Sequence, residues 1–358
     1  MNEAGMQSIV RTKTVVSLLA LAYVLTGCAV QSDFNFEGLG TPGFVDARLD
    51  RIDAAITAEI DAGKIPGAVA LVARNGETVY HKSFGVADIA SQTLMQNDAI
   101  FRIASMTKAI TTVAVMQLYE QGLFRLNDPV ARYIPAFENP QVLVSVAEDG
   151  RIAETRPAAT EIKIIDLLTH SSGISYPFIE SPLQAIYVRN GVIDGLTENN
   201  VVLKDQMTLL AEQPLLFDPG SAWAYGLNTD LLGYLVEVIS GMPLDRYFAT
   251  EIFMPLGMSD SYFYLPESKS DQLVTLYADV DGLRVSEGHE SSIKLDNPRY
   301  PAEGARAYFS GGAGLSSTAR DYARFIQMLL NEGELDGHRV LGRKSVELMR
   351  SPRMDLNN

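Results

Sequence analysis

Ser105 and Lys108, in the run FRIASMTKAITTVAVMQL, put a hydroxyl and an amine one helical turn apart at the start of an apolar helix. At spacing i, i+3 both side chains lie on one face and can reach hydrogen-bonding distance. A lysine at the mouth of a buried helix is partly desolvated and sits at the positive end of the helix dipole, which suits an amine that takes up a serine proton. The helix N-terminus also offers free N–H groups, and that of Ser105 is placed to hold an oxyanion. From this segment alone, an N-cap serine with a snorkelling lysine explains the pair equally well.

Context separates this pair from chance. A chain of this size contains about one Ser-x-x-Lys at ordinary residue usage, and a second one, Ser291 to Lys294, lies among Glu287, Gly288, Glu290, Asp296 and Pro298 as a solvated loop. From Ala109 to Tyr119 no charged residue follows the first pair, so its helix must be covered on nearly all sides until it stops at Gly122. Tyr225 follows Pro219, Gly220 and Trp223 in a loop and precedes an apolar helix from Thr229 to Ser240 that stops at Gly241. A phenol at such a junction can be aimed at a neighbouring helix terminus. Asn228 reads as that helix's N-cap, with Asp230 in its first turn.

Ordered segments carry a resemblance beyond these residues: IPGAVALVARNGETVYHKSFGVAD, the Ser105 run, DLLTHSSGI, FDPGSAWAYGLNTDLLGYLVEVISGMPL, IFMPLGMSDS and GGAGLSSTARDYARFIQMLL. Together they resemble the serine β-lactamase and penicillin-recognising superfamily, in its class C-like branch of esterases and peptidases. The resemblance implies an α/β (α+β) fold, a mainly antiparallel sheet flanked by helices with an inserted all-helical domain. It also implies an acyl-enzyme on Ser105, with Lys108 and Tyr225 moving protons. His170 matches a family loop, where it is expected to hydrogen-bond at a helix end and to lie near substrate. Where β-lactamases carry an asparagine two places after the tyrosine this chain has Leu227, and an apolar residue there resembles the esterase members. The expected substrate is therefore a small-molecule ester or amide, first a carboxylic ester. A D-amino-acid peptide or a β-lactam is the alternative. The family's third motif, a glycine-containing strand near the C-terminus, has no counterpart, since Gly311, Gly312 and Gly314 match an earlier segment. The chain is thus expected to lack its last core strands, and a catalytically inactive cell-wall ligand-binding protein remains a further alternative.

At the other end, Arg11 and Lys13 precede an apolar stretch from Val15 to Leu25 that ends in Leu25-Thr26-Gly27-Cys28. The stretch is too short to span a bilayer and has the layout of a signal peptide. Its last residues resemble a bacterial lipoprotein box, with Cys28, the only cysteine, as the lipidation site. Residues 1–27 are read as signal peptide, 28–41 as tether and 42–358 as the hydrolase domain, anchored on the periplasmic face of the outer membrane. A helix from Asp46 to Ala62 and strands at Ala68–Arg74 and Thr78–Phe84, joined by Asn75-Gly76, are expected to open the domain. A net charge of −15 without a basic cluster in the mature chain disfavours nucleic-acid binding. His81, His170, His289 and His338 are scattered without ligand spacing, so no metal or other cofactor is expected.

Overall fold

The turn Asn75-Gly76 sets the first sheet. Both residues have positive φ, 53° and 85°, the geometry that matches the twist of two antiparallel strands. Strands β1 (Gly67–Arg74) and β2 (Glu77–Asp88) pair from Gly67↔Gly85 to Arg74↔Glu77, with a register shift between Val72 and Ala73, and β3 (Thr93–Leu94) adds to β2. The helix Asp46–Asp61 lies against β2, where Asp53 accepts hydrogen bonds from Tyr80 and Lys82. This computed structural model describes residues 46–279, 283–285, 297 and 299–352, which fall in one compact unit spanning Gly43–Asn358. The signal-peptide and tether readings, Cys28 and the Ser291–Lys294 pair lie outside the described residues.

The uncharged run after Lys108 forms the helix Thr107–Glu120, hereafter the serine helix. Ile110, Val113, Ala114, Val115, Met116 and Leu118 on it are at most 2% exposed. Burying each large apolar side chain contributes about 1.5–3 kcal/mol, which outweighs the modest helix propensity of its Thr, Val and Ile residues. Its main partner is the helix Asn228–Ser240, which presents Leu231, Leu232, Leu235 and Val236 and stops at Gly241 in the left-handed conformation. The central element is therefore locked by packing.

Both chain ends contribute to the region around the serine. Phe101–Arg102 pairs antiparallel with Ser316–Ser317, and the helix Ala319–Leu330 packs on β1. That helix is capped by Thr318, whose hydroxyl accepts from Asp321 N at 3.1 Å. The intervening segment differs from the all-helical expectation. Besides short helices at Ile164–Leu168, Gln184–Arg189 and Leu203–Ala211, it contains a hairpin of Gln141–Val146 with Ile152–Pro157. Arg156 on that hairpin forks onto Asp218 at 2.9 and 2.6 Å, a bidentate pair that ties it to the loop before Tyr225. After the helix Ala319–Leu330 come a two-residue-strand hairpin and the helix Arg343–Met349. Among the described residues no strand carries a third motif, and β1 pairs with β2 alone.

Candidate active site

Ser105 occupies a 3₁₀ turn, Ala104–Met106, that leads into the serine helix, rather than the first turn of the α-helix itself. The preceding Ala104 has φ +43°, a left-handed conformation that costs a non-glycine residue roughly 1–2 kcal/mol. The surroundings impose it. Ile103 N donates to Leu315 O at 2.9 Å and Met106 N to Ile103 O at 3.0 Å, so the chain is pinned on either side of the bend. Strain of this kind is held only where neighbouring structure over-determines it. Its result is a serine turned outward, exposed at the lip of a buried helix.

Three side chains from distant parts of the sequence meet there. Ser105 Oγ and Tyr225 OH are 2.7 Å apart. Lys108 Nζ lies 3.3 Å from Ser105 Oγ, 3.0 Å from Tyr176 OH and 2.8 Å from the Gly312 carbonyl. It also sits over the Tyr225 ring, 4.7 Å from the centroid. As an ammonium Lys108 can donate to all of these acceptors. As an amine it keeps its donation to the carbonyl and turns a lone pair toward a hydroxyl. The phenol, not the amine, is the closer partner of the serine.

Backbone contacts place Tyr225. Ala224 N donates to His170 O at 2.9 Å and Leu227 N to Ser175 O at 3.3 Å, laying this segment along the loop after the helix Ile164–Leu168. Gly226 permits the approach, because a Cβ there would lie 2.2 Å from Ile174 O. The Tyr225 ring is then enclosed by His170, Tyr176 and Trp223, with centroids 5.0, 5.3 and 6.4 Å away. Such packing fixes the direction of the hydroxyl.

His170 is found at a helix end with φ +56°, as a hydrogen-bonding residue. Its Nδ1 is 3.0 Å from Asn228 Nδ2, while Asn228 Oδ1 accepts from Ser172 Oγ. The amide donates, so Nδ1 accepts and Nε2 carries the imidazole proton. Burial, and then the charge of Lys108, lower the His170 pKa to about 4, which keeps the ring neutral. Asn228 is thus a buried bridge to His170 and not the expected cap, the N-cap being Leu227 without a side-chain bond. Leu227, expected to face substrate, is fully buried in the core. Its position in a loop said nothing about the direction of its side chain.

Other groups at the site were not anticipated. Tyr176, held as a neutral phenol because burial raises its pKa well above the usual value, and the Gly312 carbonyl are both direct partners of Lys108. Glycine clustering at 311–314 was the available signal for the latter, since a Cβ at Gly312 would lie 2.3 Å from Asp230 Oδ2. Tyr176 had only its place just after a matched segment. Asp230 is in the first helical turn as read, but fully buried, with its carboxyl raised to about 6 by desolvation.

Comparison with known proteins places these features in context. A family model described as Beta-lactamase matches residues 52–356. Esterase EstB of Burkholderia gladioli is 35% identical over 289 residues, 78% of this chain and 69% of that protein. Monacolin J acid methylbutanoyltransferase of Aspergillus terreus is 30% identical over 316 residues, 85% of this chain and 71% of that protein. Among solved structures, EstCE1, a hydrolase with promiscuous acyltransferase activity, matches with a TM-score of 0.71 at 30% identity, over 85% of this chain and 77% of that one.

Proposed function

This chain belongs to the Beta-lactamase family, and from that premise we propose that it is a serine hydrolase that cleaves carboxylic esters through an acyl-enzyme on Ser105. The observation that carries the reading is the convergence of Ser105 Oγ, Tyr225 OH and Lys108 Nζ within 2.7 and 3.3 Å of the serine oxygen. Ser105 Oγ attacks the ester carbonyl as its proton passes into the Tyr225–Lys108 pair, and a tetrahedral oxyanion forms opposite the Ser105 N–H. The pair returns the proton to the alkoxide, the alcohol leaves, and the acyl group remains on Ser105. Water then attacks the acyl carbonyl, gives its proton to the same pair, and the acid departs as Ser105 recovers its proton. Esters are preferred over amides because Leu227, buried in the core, offers no side-chain amide to a substrate carbonyl. The acyltransferases among the relatives support a parallel outcome in which an alcohol replaces water.

The test is a panel of p-nitrophenyl esters, nitrocefin and a D-Ala-D-Ala peptide, with and without an added primary alcohol. Ester cleavage that exceeds turnover of the other substrates, and an ester product when alcohol is added, are expected. Preferred cleavage of nitrocefin or the peptide would reassign the substrate class. No turnover together with no fluorophosphonate labelling would favour a ligand-binding protein.

The anchor belongs to the same reading. The basic residues Arg11 and Lys13, the apolar Val15–Leu25 and the Leu-Thr-Gly-Cys ending support lipidation at Cys28, which holds the enzyme on the periplasmic face of the outer membrane, since several acyl chains bind a bilayer firmly where one does not. Cys28→Ser is expected to abolish lipid labelling and release the protein from the membrane fraction. Retention without lipid labelling would contradict it.

A further inference from the structure

Behind Lys108 runs a chain of hydrogen bonds that the ester-cleavage scheme does not use. The peptide between Gly312 and Ala313 is held at both ends. Its carbonyl accepts from Lys108 Nζ at 2.8 Å, and its N–H donates to Ser310 Oγ at 3.0 Å. Ser310 Oγ–H in turn donates to Asp230 Oδ1 at 2.6 Å, and the same oxygen accepts from Gly312 N at 3.3 Å. Asp230, Ser310 and Gly312 are all buried, and Asp230 Oδ2 has no hydrogen-bond partner. A buried carboxylate left half satisfied is costly, and a fold retains such a group where it does something that an apolar residue would not.

We propose that Asp230 is a positioning residue for Lys108, acting through Ser310 and the Gly312–Ala313 peptide. An anion at one end of a hydrogen-bonded row polarises every member, so the peptide carbonyl becomes a stronger acceptor for the amine at the other end. When Lys108 takes up a proton during acylation, that carbonyl stabilises the new ammonium without letting a carboxylate touch it. Direct contact would trap the proton in an ion pair, whereas an intervening hydroxyl and peptide transmit the field and still leave the proton available. The arrangement also fixes the loop geometrically: Thr111 Oγ1 donates to Gly311 O at 2.6 Å, and the close contact of Gly312 with Asp230 leaves no room for a side chain.

The groups facing Asp230 are Lys108 from the serine helix, Tyr176 from the loop after His170, Gly195 from the following segment, and Tyr308 and Ser310 from the glycine loop, and the charge of Asp194 acts on Tyr176 and Tyr308 beside it. Desolvation holds the Asp230 carboxyl up at about 6, so acid switches the row off in a range where His170 is still neutral.

The inference rests on the proposed role of Lys108, and the experiment separates the two. In the full chain, Asp230→Asn keeps the shape and the acceptor oxygen but removes the charge, and Ser310→Ala keeps the charge but breaks the row. Each is expected to lower kcat by about tenfold to a hundredfold with KM little changed, and the double variant to be no worse than the more damaging single. The acid limb near pH 6 in the wild-type profile is expected to shift in Asp230→Asn and to persist in Asp194→Asn. Independently of turnover, the ¹³Cε resonance of Lys108 in lysine-labelled protein is expected to move in both Asp230→Asn and Ser310→Ala. An unmoved Lys108 resonance overturns the proposal, as does an unchanged acid limb with unchanged kcat. Absence of Ser105-dependent hydrolysis in the wild type would instead overturn the esterase reading, and the Lys108 resonance would still decide the role of Asp230.

Discussion

Among the described residues two places set a lysine over a tyrosine ring, and only one of them is suited to move protons. Lys82 Nζ lies 5.1 Å from the Tyr80 centroid and Lys108 Nζ lies 4.7 Å from that of Tyr225. In the first pair Asp53 accepts from both, from Tyr80 OH at 2.5 Å and Lys82 Nζ at 2.7 Å. Those bonds, that from Lys82 first, lower the Asp53 carboxyl, while burial and the Asp53 bond push the Tyr80 phenol far up. Every proton there has one strongly preferred owner, and the result is a clasp between the first helix and β2. At the second pair the contacts are a hydroxyl, a phenol and a carbonyl, and the Asp230 carboxyl reaches the lysine only through Ser310 and the Gly312–Ala313 peptide. The difference lies in the acceptor that the lysine and phenol share, not in the lysine and phenol themselves.

The comparison breaks most visibly if the serine is removed. Ser105→Ala is expected to reduce ester hydrolysis by about 10⁴-fold or more. Because Ser105 is exposed at the lip of the helix, the melting temperature should stay the same. Next in size, Tyr225→Phe is expected to cost about 10²-fold to 10⁴-fold in kcat. Adding Lys108→Ala should cost much less than its effect alone, since the two act on one proton. A Tyr225→Phe enzyme with full rate would reduce Tyr225 to a packing residue and remove the contrast with Tyr80.

How much of this arrangement could be read from the residues depends on the range of the contacts involved. Ser105 with Lys108 is a local i, i+3 relation, and the Asn75-Gly76 turn is equally local; the structure has both where expected. The helix read from Thr229 to Ser240 is observed as Asn228–Ser240. Tyr176, the Gly312 carbonyl and the burial of Asp230 depend instead on segments separated by tens to hundreds of residues coming together. Residue type does not encode that meeting. Asn228 shows the ambiguity well: at a helix start an asparagine caps by default, and only the proximity of His170 and Ser172 turns it into a bridge. The hairpin at 141–157 escaped notice because its second strand is exposed throughout and has no apolar face.

Smaller effects sharpen the contrast from the other side. Asp53→Asn should leave kcat unchanged, because the clasp is not part of the site. The lowered Asp53 pKa means its contribution to stability is full above the ordinary value of 3.8 and is lost as pH falls through the depressed value. The difference in melting temperature between wild type and variant should therefore shrink in acid. A difference that grew in acid would contradict the Asp53 assignment. For His170, whose folded pKa is lowered to about 4 from 6.5, the contribution is full above 6.5 and fades as pH falls toward 4. An NMR titration of the imidazole should show that low midpoint, and a midpoint near 6.5 would mean that His170 is not buried against Asn228.

The central claim, that Ser105 is the acylated nucleophile, is tested most directly by peptide mapping of the full chain after reaction with a fluorophosphonate or an acid-quenched p-nitrophenyl ester. A single adduct on the peptide carrying Ser105, absent from Ser105→Ala and slowed in Tyr225→Phe and Lys108→Ala, is the predicted result. An adduct on a different serine, or ester turnover that survives Ser105→Ala, would contradict the account.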